Sequence, residues 1–345
     1  MLLGLSLREL CVSLPTGLKL PGNRVQVLPR GRLALSPRLF PPDRRKESAV
    51  RTCVIFNPVA RGGKARQFRR HLDQFGAAAA LKQTTAGGDA RRLAAEAVRE
   101  GFEVVVAAGG DGTLNEVLNG IGDAPDGFAR VRLGVLPLGT VNVFARELGI
   151  PIALEPAWRT IRDARETAID LPCVECTRGD AVTRHYFGQL AGAGLDARAI
   201  ELVNWSLKKR IGPLAYVVAG LQALTGPQSK ITVTDGPRSA SGELVLVGNG
   251  RLYGGPFTVF PEADLRDGLL DVRLFPRANW LTLFRVAPSL LLRGKLPSGV
   301  AESFRAASFS LTSASPTAME VDGEFLGNLP AKFSTQRSRL RVIVP

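Results

Sequence analysis

Gly109-Gly110-Asp111-Gly112-Thr113 is the most chemically suggestive run in the chain, because it lies between an apolar strand-like segment and a helix start. Glycines at such a junction let the backbone approach a ligand closely, and the free N–H groups of a first helical turn attract an anion. Asp111 is out of place beside an anion unless a divalent cation bridges it to phosphate, or it accepts a proton. A tight turn with an acidic cap is the plain alternative. Two further loops share this character. Asn57-Pro58-Val59-Ala60-Arg61-Gly62-Gly63-Lys64 follows a strand end and lacks the G-x-x-x-x-G-K-[ST] spacing of a Walker A loop. Leu138-Gly139-Thr140-Val141-Asn142 follows another. Late in the chain, Asp322-Gly323-Glu324 offers two carboxylates, although Asp-Gly alone is the strongest short hairpin signal.

These loops need a frame, and the hydrophobic pattern supplies one. Apolar runs at Thr52–Phe56, Phe102–Ala108 and Val131–Leu136 read as strands buried on both faces. Helices are expected near 65–75, from the cap Asp89 onward, from about Thr113, and around Asn142–Leu148. Leu114, Val117, Leu118 and Ile121 mark one face of the third. Alternating strands and helices predict a parallel, Rossmann-like sheet, and loops at the carboxyl ends of its strands converge on one crevice. Convergence makes a nucleotide-phosphate site out of what would singly be turns. From about Ala168 the texture becomes antiparallel β, with segments at 168–176, 184–191, 230–235, 243–249, 256–260, 269–275, 306–312, 317–321 and 339–344, and helices at about 195–206 and 212–224. The expected organisation is a basic extension over 1–50, an α/β nucleotide-binding domain over 51–165 and a β-rich substrate domain over 166–345. The last strand is free to return to the first domain.

Composition narrows the partners. The chain has 345 residues, 45 Lys and Arg against 31 Asp and Glu, and a net charge of +14. Residues 1–51 hold ten of those cations and three of the acids. An anionic partner follows: a phosphorylated small molecule, an acidic membrane surface or nucleic acid. The last is excluded by the lack of any Cys/His finger, basic-heptad region or basic-aromatic strand. No apolar run reaches membrane-spanning length; the longest, Pro213–Thr225 and Trp280–Leu292, are too short, and the second is broken by Arg285 and Pro288. Four cysteines cannot frame a fold of this size, so a reducing compartment is expected and Cys173-Val174-Glu175-Cys176 reads as structural. His71 and His185 lack ligand partners at metal spacing. Lys208-Lys209-Arg210 reads equally as a lipid or phosphate contact and as a solvated helix end.

Asn57-Pro58 with its Gly/Lys loop, GGDGTLNEV at 109–117, LPLGTVNVFARELGIP at 136–151 and the late Asp322-Gly323-Glu324 form an ordered set. Over about 51–345 the chain thereby resembles the diacylglycerol kinase catalytic-domain family, which includes sphingosine and ceramide kinases. GGDGT alone is shared with NAD kinases and phosphofructokinases; the ordered set is not. The resemblance implies an α/β domain and a β-sandwich with the active site in the cleft between them, ATP and Mg²⁺ as cofactors, and transfer of the γ-phosphate to a lipid hydroxyl. It implies that Asn57, Pro58, Lys64, Thr84, Gly109, Gly110, Asp111, Gly112, Thr113, Asn115 and Thr140 meet the nucleotide. Glu324 is then the expected general base, with Asp322 its partner or a metal contact and Asp111 the second candidate for the base. A structural Mg²⁺ is implied at the Asp267 side chain and the carbonyls of Asp264 and Leu269, and Asp196 is implied in head-group recognition. A cytoplasmic enzyme attached peripherally to the inner membrane face is expected, with a homodimer left open. One departure stands out: Val143 occupies the place of an aspartate in the usual Gly-Thr-x-Asn-Asp-Phe. A kinase of soluble substrates resembling NAD kinase, and a relative without turnover, are the alternatives.

Overall fold

The computed structural model describes residues 50–59, 68, 79–163, 165–178, 181–202 and 214–345. Strands β1 (Thr52–Phe56), β2 (Ala80–Gln83), β3 (Val104–Gly109) and β4 (Arg132–Pro137) run parallel in the order β2-β1-β3-β4. Their apolar runs are buried on both faces because helices cover both. Helix α1 (Asp89–Arg99) and α2 (Asp111–Asp123) set Leu93, Ala97, Val117, Leu118 and Ile121 against Ile55, Val105 and Leu133. Beyond α3 (Gly127–Arg130) and α4 (Val143–Glu147), α5 (Leu154–Asp163) covers the other face, packing Trp158 and Ile161 on Val54, Val106 and Leu136. Helices α1 and α2 touch through Gly120, where a Cβ would lie 2.1 Å from the Arg91 carbonyl oxygen. The chain passes from β1 to β2 on one side and then to β3 on the other. That reversal puts the switch point, where open α/β sheets bind ligands, at the carboxyl ends of β1 and β3.

The rest of the chain forms β5 (Glu166–Arg178), β6 (Ala181–Tyr186), β7 (Leu190–Gly194), α6 (Leu195–Leu202), α7 (Leu214–Leu224), β8 (Ile231–Asp235), β9 (Arg238–Gly242), β10 (Leu244–Gly248), β11 (Leu252–Tyr253), β12 (Phe257–Thr258), β13 (Leu270–Phe275), α8 (Trp280–Arg293), β14 (Glu302–Ala306), β15 (Ser308–Ser313), β16 (Ala318–Val321), β17 (Glu324–Asn328) and β18 (Ala331–Ile343). An antiparallel sheet has the order β14-β13-β10-β7-β16-β17. The long β18 joins the remaining strands to the parallel sheet. Its last turn of register pairs Val342 with Leu133 of β4, while its first half pairs with β15 and its whole length with β5. Val174, Phe187, Val233, Val245, Val272, Phe309, Leu311, Met319, Val321 and Phe333 fill the space between the two sheets. A parallel α/β sheet followed by an antiparallel sandwich is therefore the architecture, as the pattern predicts.

Departures from the expected elements have local causes. The expected 184–191 strand is interrupted after Tyr186, because the amides of Gly188 and Gln189 are taken by a side chain from β16–β17 rather than by a neighbouring strand. Strand β18 begins eight residues before the expected 339, the polar run KFSTQRSR having hidden it. Asp89 is the first residue of α1 and not its cap; its carboxylate accepts the Thr85 and Ala86 amides and the Thr85 hydroxyl. Helix α2 starts at Asp111, two residues before the expected Thr113. The helix expected near 65–75 lies outside the described residues apart from Phe68, a buried helical residue whose ring is tilted 46° against that of Phe56. The basic extension and Lys208-Lys209-Arg210 also lie outside them.

Candidate active site

Three loops meet at the switch point. Asn57 follows β1; its amide donates to the Ala108 carbonyl of β3 (3.0 Å), and its side-chain amide donates to Thr113 Oγ1 (3.1 Å). Glycine is required where the loops touch. A Cβ on Gly109 would lie 2.4 Å from Thr113 Oγ1, and one on Gly139 would lie 2.5 Å from the Gly110 backbone. The Leu138 and Gly139 amides both donate to the Gly109 carbonyl (2.8 and 3.1 Å). Asn142, at a left-handed φ of 53°, braces the second loop by exchanging hydrogen bonds with Gly139. The product is a backbone-lined cradle at the N-terminus of the 13-residue α2, a site for anionic oxygen atoms. Thr84 is buried beside it, its amide donating to the Phe56 carbonyl (3.0 Å). Pro58 forms the turn after Asn57, and Thr140 is exposed on the loop after Gly139.

The Asp-Gly-Glu turn joins β16 to β17 and reaches this cradle from the other sheet. Asp322 stands at φ 47° and Gly323 at φ 85°, so the turn uses the left-handed region twice. Asp322 accepts the amides of Gly188 (2.7 Å), Gln189 (3.0 Å) and Leu190 (3.1 Å) and the side-chain amide of Asn115 (2.8 Å). A carboxylate has roughly four acceptor sites, so this one is filled. Burial holds the Asp322 carboxyl above its ordinary value against the pull of these donors. Asp322 is thus a clamp between the parallel-sheet helix α2 and the start of β7, and its expected part in proton transfer gives way to positioning. Glu324 is exposed, and its Oε1 lies 2.6 Å from where a Cβ on Gly112 would stand. The clamp therefore delivers Glu324 to the first turn of α2.

Asp111 is the other carboxylate at the cradle. Burial first, and the charge of Asp322 second, raise it to about 6, while amides of Phe144, Val143 and Asn142 pull the other way. The Phe144 amide is 3.4 Å from its Oδ1. Val143 serves here through its backbone, its side chain being buried. Among the described residues Asp111 has no ion-pair partner, and its carboxylate, hard oxygen beside an anion cradle, fits a divalent cation.

Asp196 lies outside direct contact with the cradle but is tied to it. It opens α6 and faces Glu320 and Tyr253. Asp196 Oδ2 and Glu320 Oε1 are buried without a donor among the described residues, and lie 2.6 and 3.0 Å from the point a Gly192 Cβ would occupy. Two facing acceptors need one proton between them. Glu320 is raised well above its ordinary value by burial and then by Asp196, and Asp196 is itself raised by burial. The other Glu320 oxygen accepts the Gly323 amide at 2.8 Å, within the Asp-Gly-Glu turn. Tyr253, kept protonated by burial and the two acids, donates to Asp196. Sequence reading missed both partners. Glu320 sits on the strand face opposite Met319 and Val321, which alternation assigns to solvent, yet it is fully buried.

The segment 264–269 does not fit the metal expected there. Asp267 accepts the Leu269 amide (2.9 Å) with one oxygen and pairs with the Arg305 guanidinium through the other. The Asp264 carbonyl takes the Asp267 amide at 3.4 Å. Arg305, also paired with Asp271 at 3.2 Å, supplies the positive charge that a cation would bring. Lys64 lies outside the described residues. Cys53, Cys173 and Cys176 are buried and form no disulfide among the described residues, and burial raises Cys53 and Cys173 to about 11. An open pocket of about 740 Å³ lined by Glu147, Arg251, Asp264 and Arg266 contains none of the cradle residues.

Known proteins share this fold. Residues 51–174 match the diacylglycerol kinase catalytic domain, and residues 189–344 match the YegS C-terminal NAD kinase beta sandwich-like domain. A diacylglycerol kinase of Staphylococcus aureus (strain bovine RF122 / ET3-1) is 32% identical over 310 residues, covering 86% of this chain and 92% of its own. One from Bacillus subtilis (strain 168) is 31% identical over 306 residues, covering 86% and 96%. The crystal structure of a diacylglycerol kinase from Bacillus anthracis str. Sterne superposes with a TM-score of 0.62 at 20% identity, over 86% of this chain and 97% of that one. With identity above 30% sustained across both sheets, the chain belongs to the diacylglycerol kinase catalytic-domain family of lipid kinases.

Proposed function

We propose that this protein transfers the γ-phosphate of ATP to the hydroxyl of a membrane lipid, diacylglycerol or a sphingoid base. The observation that carries the reading is the meeting of an anion cradle with an acid from another sheet: Glu324 over Gly112 at the start of α2. In this reading the ATP phosphates lie against Gly109–Thr113, Asn57 and Thr140, with Thr84 and Asn115 completing the surroundings. Glu324 accepts the proton of the lipid hydroxyl as its oxygen bonds to the γ-phosphorus, the bond to the bridging oxygen breaks, and ADP leaves. The work is positioning and electrostatics. Mg²⁺ at Asp111 would supply charge against the phosphates. The paired Asp196 and Glu320, with Tyr253, suit a hydroxyl-bearing lipid head group, since together they both donate and accept hydrogen bonds. The protein acts at the inner membrane face by peripheral attachment.

The test is transfer of labelled γ-phosphate from ATP, with Mg²⁺, to micelle-presented diacylglycerol, sphingosine, ceramide and monoacylglycerol, with NAD in a parallel tube. A labelled lipid is expected. Label only in NADP assigns a soluble acceptor, and no product anywhere assigns a relative without turnover. The Asp111→Ala variant should lose at least about 10³-fold in transfer while unfolding at an unchanged temperature. Near-normal turnover would remove Asp111 from the machinery.

A further inference from the structure

Helix α8 is apolar on two opposite faces and packs only one of them against the protein. Inward, Val286 and Leu290 pack against Leu246, Val259, Phe260 and Phe275 on the outer side of the antiparallel sheet. Outward, Leu281, Phe284, Leu291 and Leu292 are 68%, 71%, 76% and 85% exposed, with Trp280 at 44%. Positions 281, 284, 288, 291 and 292 fall on one side of a helix, so this is a continuous stripe. A helix apolar all round is ordinarily enclosed by protein. Here no residue of the helix is buried, and no described element covers its outer stripe.

The charges around the stripe identify what covers it. Arg277, Arg285, Arg293 and Lys295 are all exposed, and no Asp or Glu occurs from 277 to 301. An apolar stripe on a segment that carries four cations and no acid of its own matches an anionic lipid surface, the one acid bonded to its start being Glu243 at the Ala278 amide. Leucine and phenylalanine enter the acyl boundary, Trp280 lies at headgroup depth, and the cationic heads meet lipid phosphates. Fourteen residues with Pro288 among them do not span a bilayer, and no described helix is long and apolar enough to do so. We propose that α8 lies in the plane of an anionic membrane and docks the protein there, an inference that rests on the lipid-kinase reading. The position suits that work. The inner face of α8 shares its apolar cluster with Tyr253, the residue that donates to Asp196, and the carbonyl of Gly294, which caps α8, accepts the Thr258 amide at 2.7 Å from the same hairpin.

The experiment is co-sedimentation of the full chain with vesicles of phosphatidylcholine alone and of phosphatidylcholine mixed equally with phosphatidylglycerol. Binding should favour the mixed vesicles and weaken with salt. Leu281→Glu with Phe284→Glu should lower it about a hundredfold, and Arg285→Ser with Arg293→Ser should lower the preference for phosphatidylglycerol about tenfold. Both variants should unfold at the wild-type temperature and phosphorylate a short-chain, water-dispersed diacylglycerol at the wild-type rate. Unchanged vesicle binding by the Leu281/Phe284 variant overturns the proposal. So does a wild-type dimer in sedimentation that the same variant converts to monomer, since a second copy would then be what covers the stripe. Vesicle binding that depends on α8 in a chain transferring phosphate to no lipid supports the docking surface and overturns the lipid-kinase reading.

Discussion

The two sides of the site are built by different means. The phosphate side is made of backbone: Gly109, Gly110 and Gly139 in mutual contact, with Asn57 and Asn142 as short-range braces. The acid side is made of long-range tethers. Asp322 is held by amides more than 130 residues earlier, and Glu320 meets Asp196 across a similar gap. A backbone cradle tolerates no added atoms, whereas a tethered acid tolerates no lost acceptor. Gly139→Ala tests the first. Its methyl would meet the Gly110 main chain at 2.5 Å with no flexible side chain to yield, so the loops must separate. Overpacking of this kind costs about 3 kcal/mol and should abolish nucleotide binding, read by denaturant unfolding and ATP titration. Full ATP affinity would show that the loops do not form the phosphate site. Asp322→Ala tests the second: it strands three main-chain amides, takes one of two acceptors from the Asn115 side chain, and should cost about 2–3 kcal/mol. ATP affinity should fall little while turnover collapses, because Glu324 is no longer delivered. Equal loss of both would mean that the two sides are one unit.

The same difference decided what the sequence could disclose. Glycine-rich loops after apolar strands are local signals, and the parallel sheet, the cradle and their joint position were readable from Val104–Gly112 and Leu133–Gly139 alone. The role of Asp322 was not, because its partners are main-chain amides at Gly188–Leu190 that carry no residue-type signature. Glu320 was hidden for a related reason: period-two alternation marks one face of a strand as polar and is silent on whether another element, here α6 with Asp196, covers it. Helix α8 was visible only as an apolar run, since a helix apolar on both faces has no amphipathic period to read. At Asp267 the family likeness suggested a cation, and Arg305, thirty-eight residues on, supplied the charge instead.

Glu324→Gln sharpens the comparison at smaller cost. Glutamine keeps the shape and the contact over Gly112 but cannot take a proton. Turnover should fall about 10²-fold with ATP affinity and unfolding unchanged. An unchanged rate would return the base role to Asp111, whose carboxyl, raised to about 6, would then impose a rise in activity through that pH as it ionises.

The smallest effect lies in the hinge between the two sides. His185 Nε2 is 2.9 Å from Asn115 Oδ1, and Asn115 in turn donates to Asp322, so the imidazole backs the clamp from β6. Burial first, then Arg91, lowers His185 to about 4 from 6.5. Above pH 6.5 the ring is neutral both folded and unfolded and contributes no pH dependence. Below that, the unfolded chain takes up a proton that the folded one refuses until about pH 4, so stability falls as pH falls through this window. The raised carboxyl of Asp111 works in the opposite direction over an overlapping range, which is why the variant difference is the informative quantity. His185→Gln, able to donate to Asn115 without titrating, should remove about 1 kcal/mol of the destabilisation that wild type shows between pH 6 and pH 5. Denaturant unfolding of both proteins at the two pH values measures it. Identical pH slopes would mean that the imidazole takes up its proton as readily in the folded chain as in the unfolded one, and that burial beside Asn115 does not resist its charging.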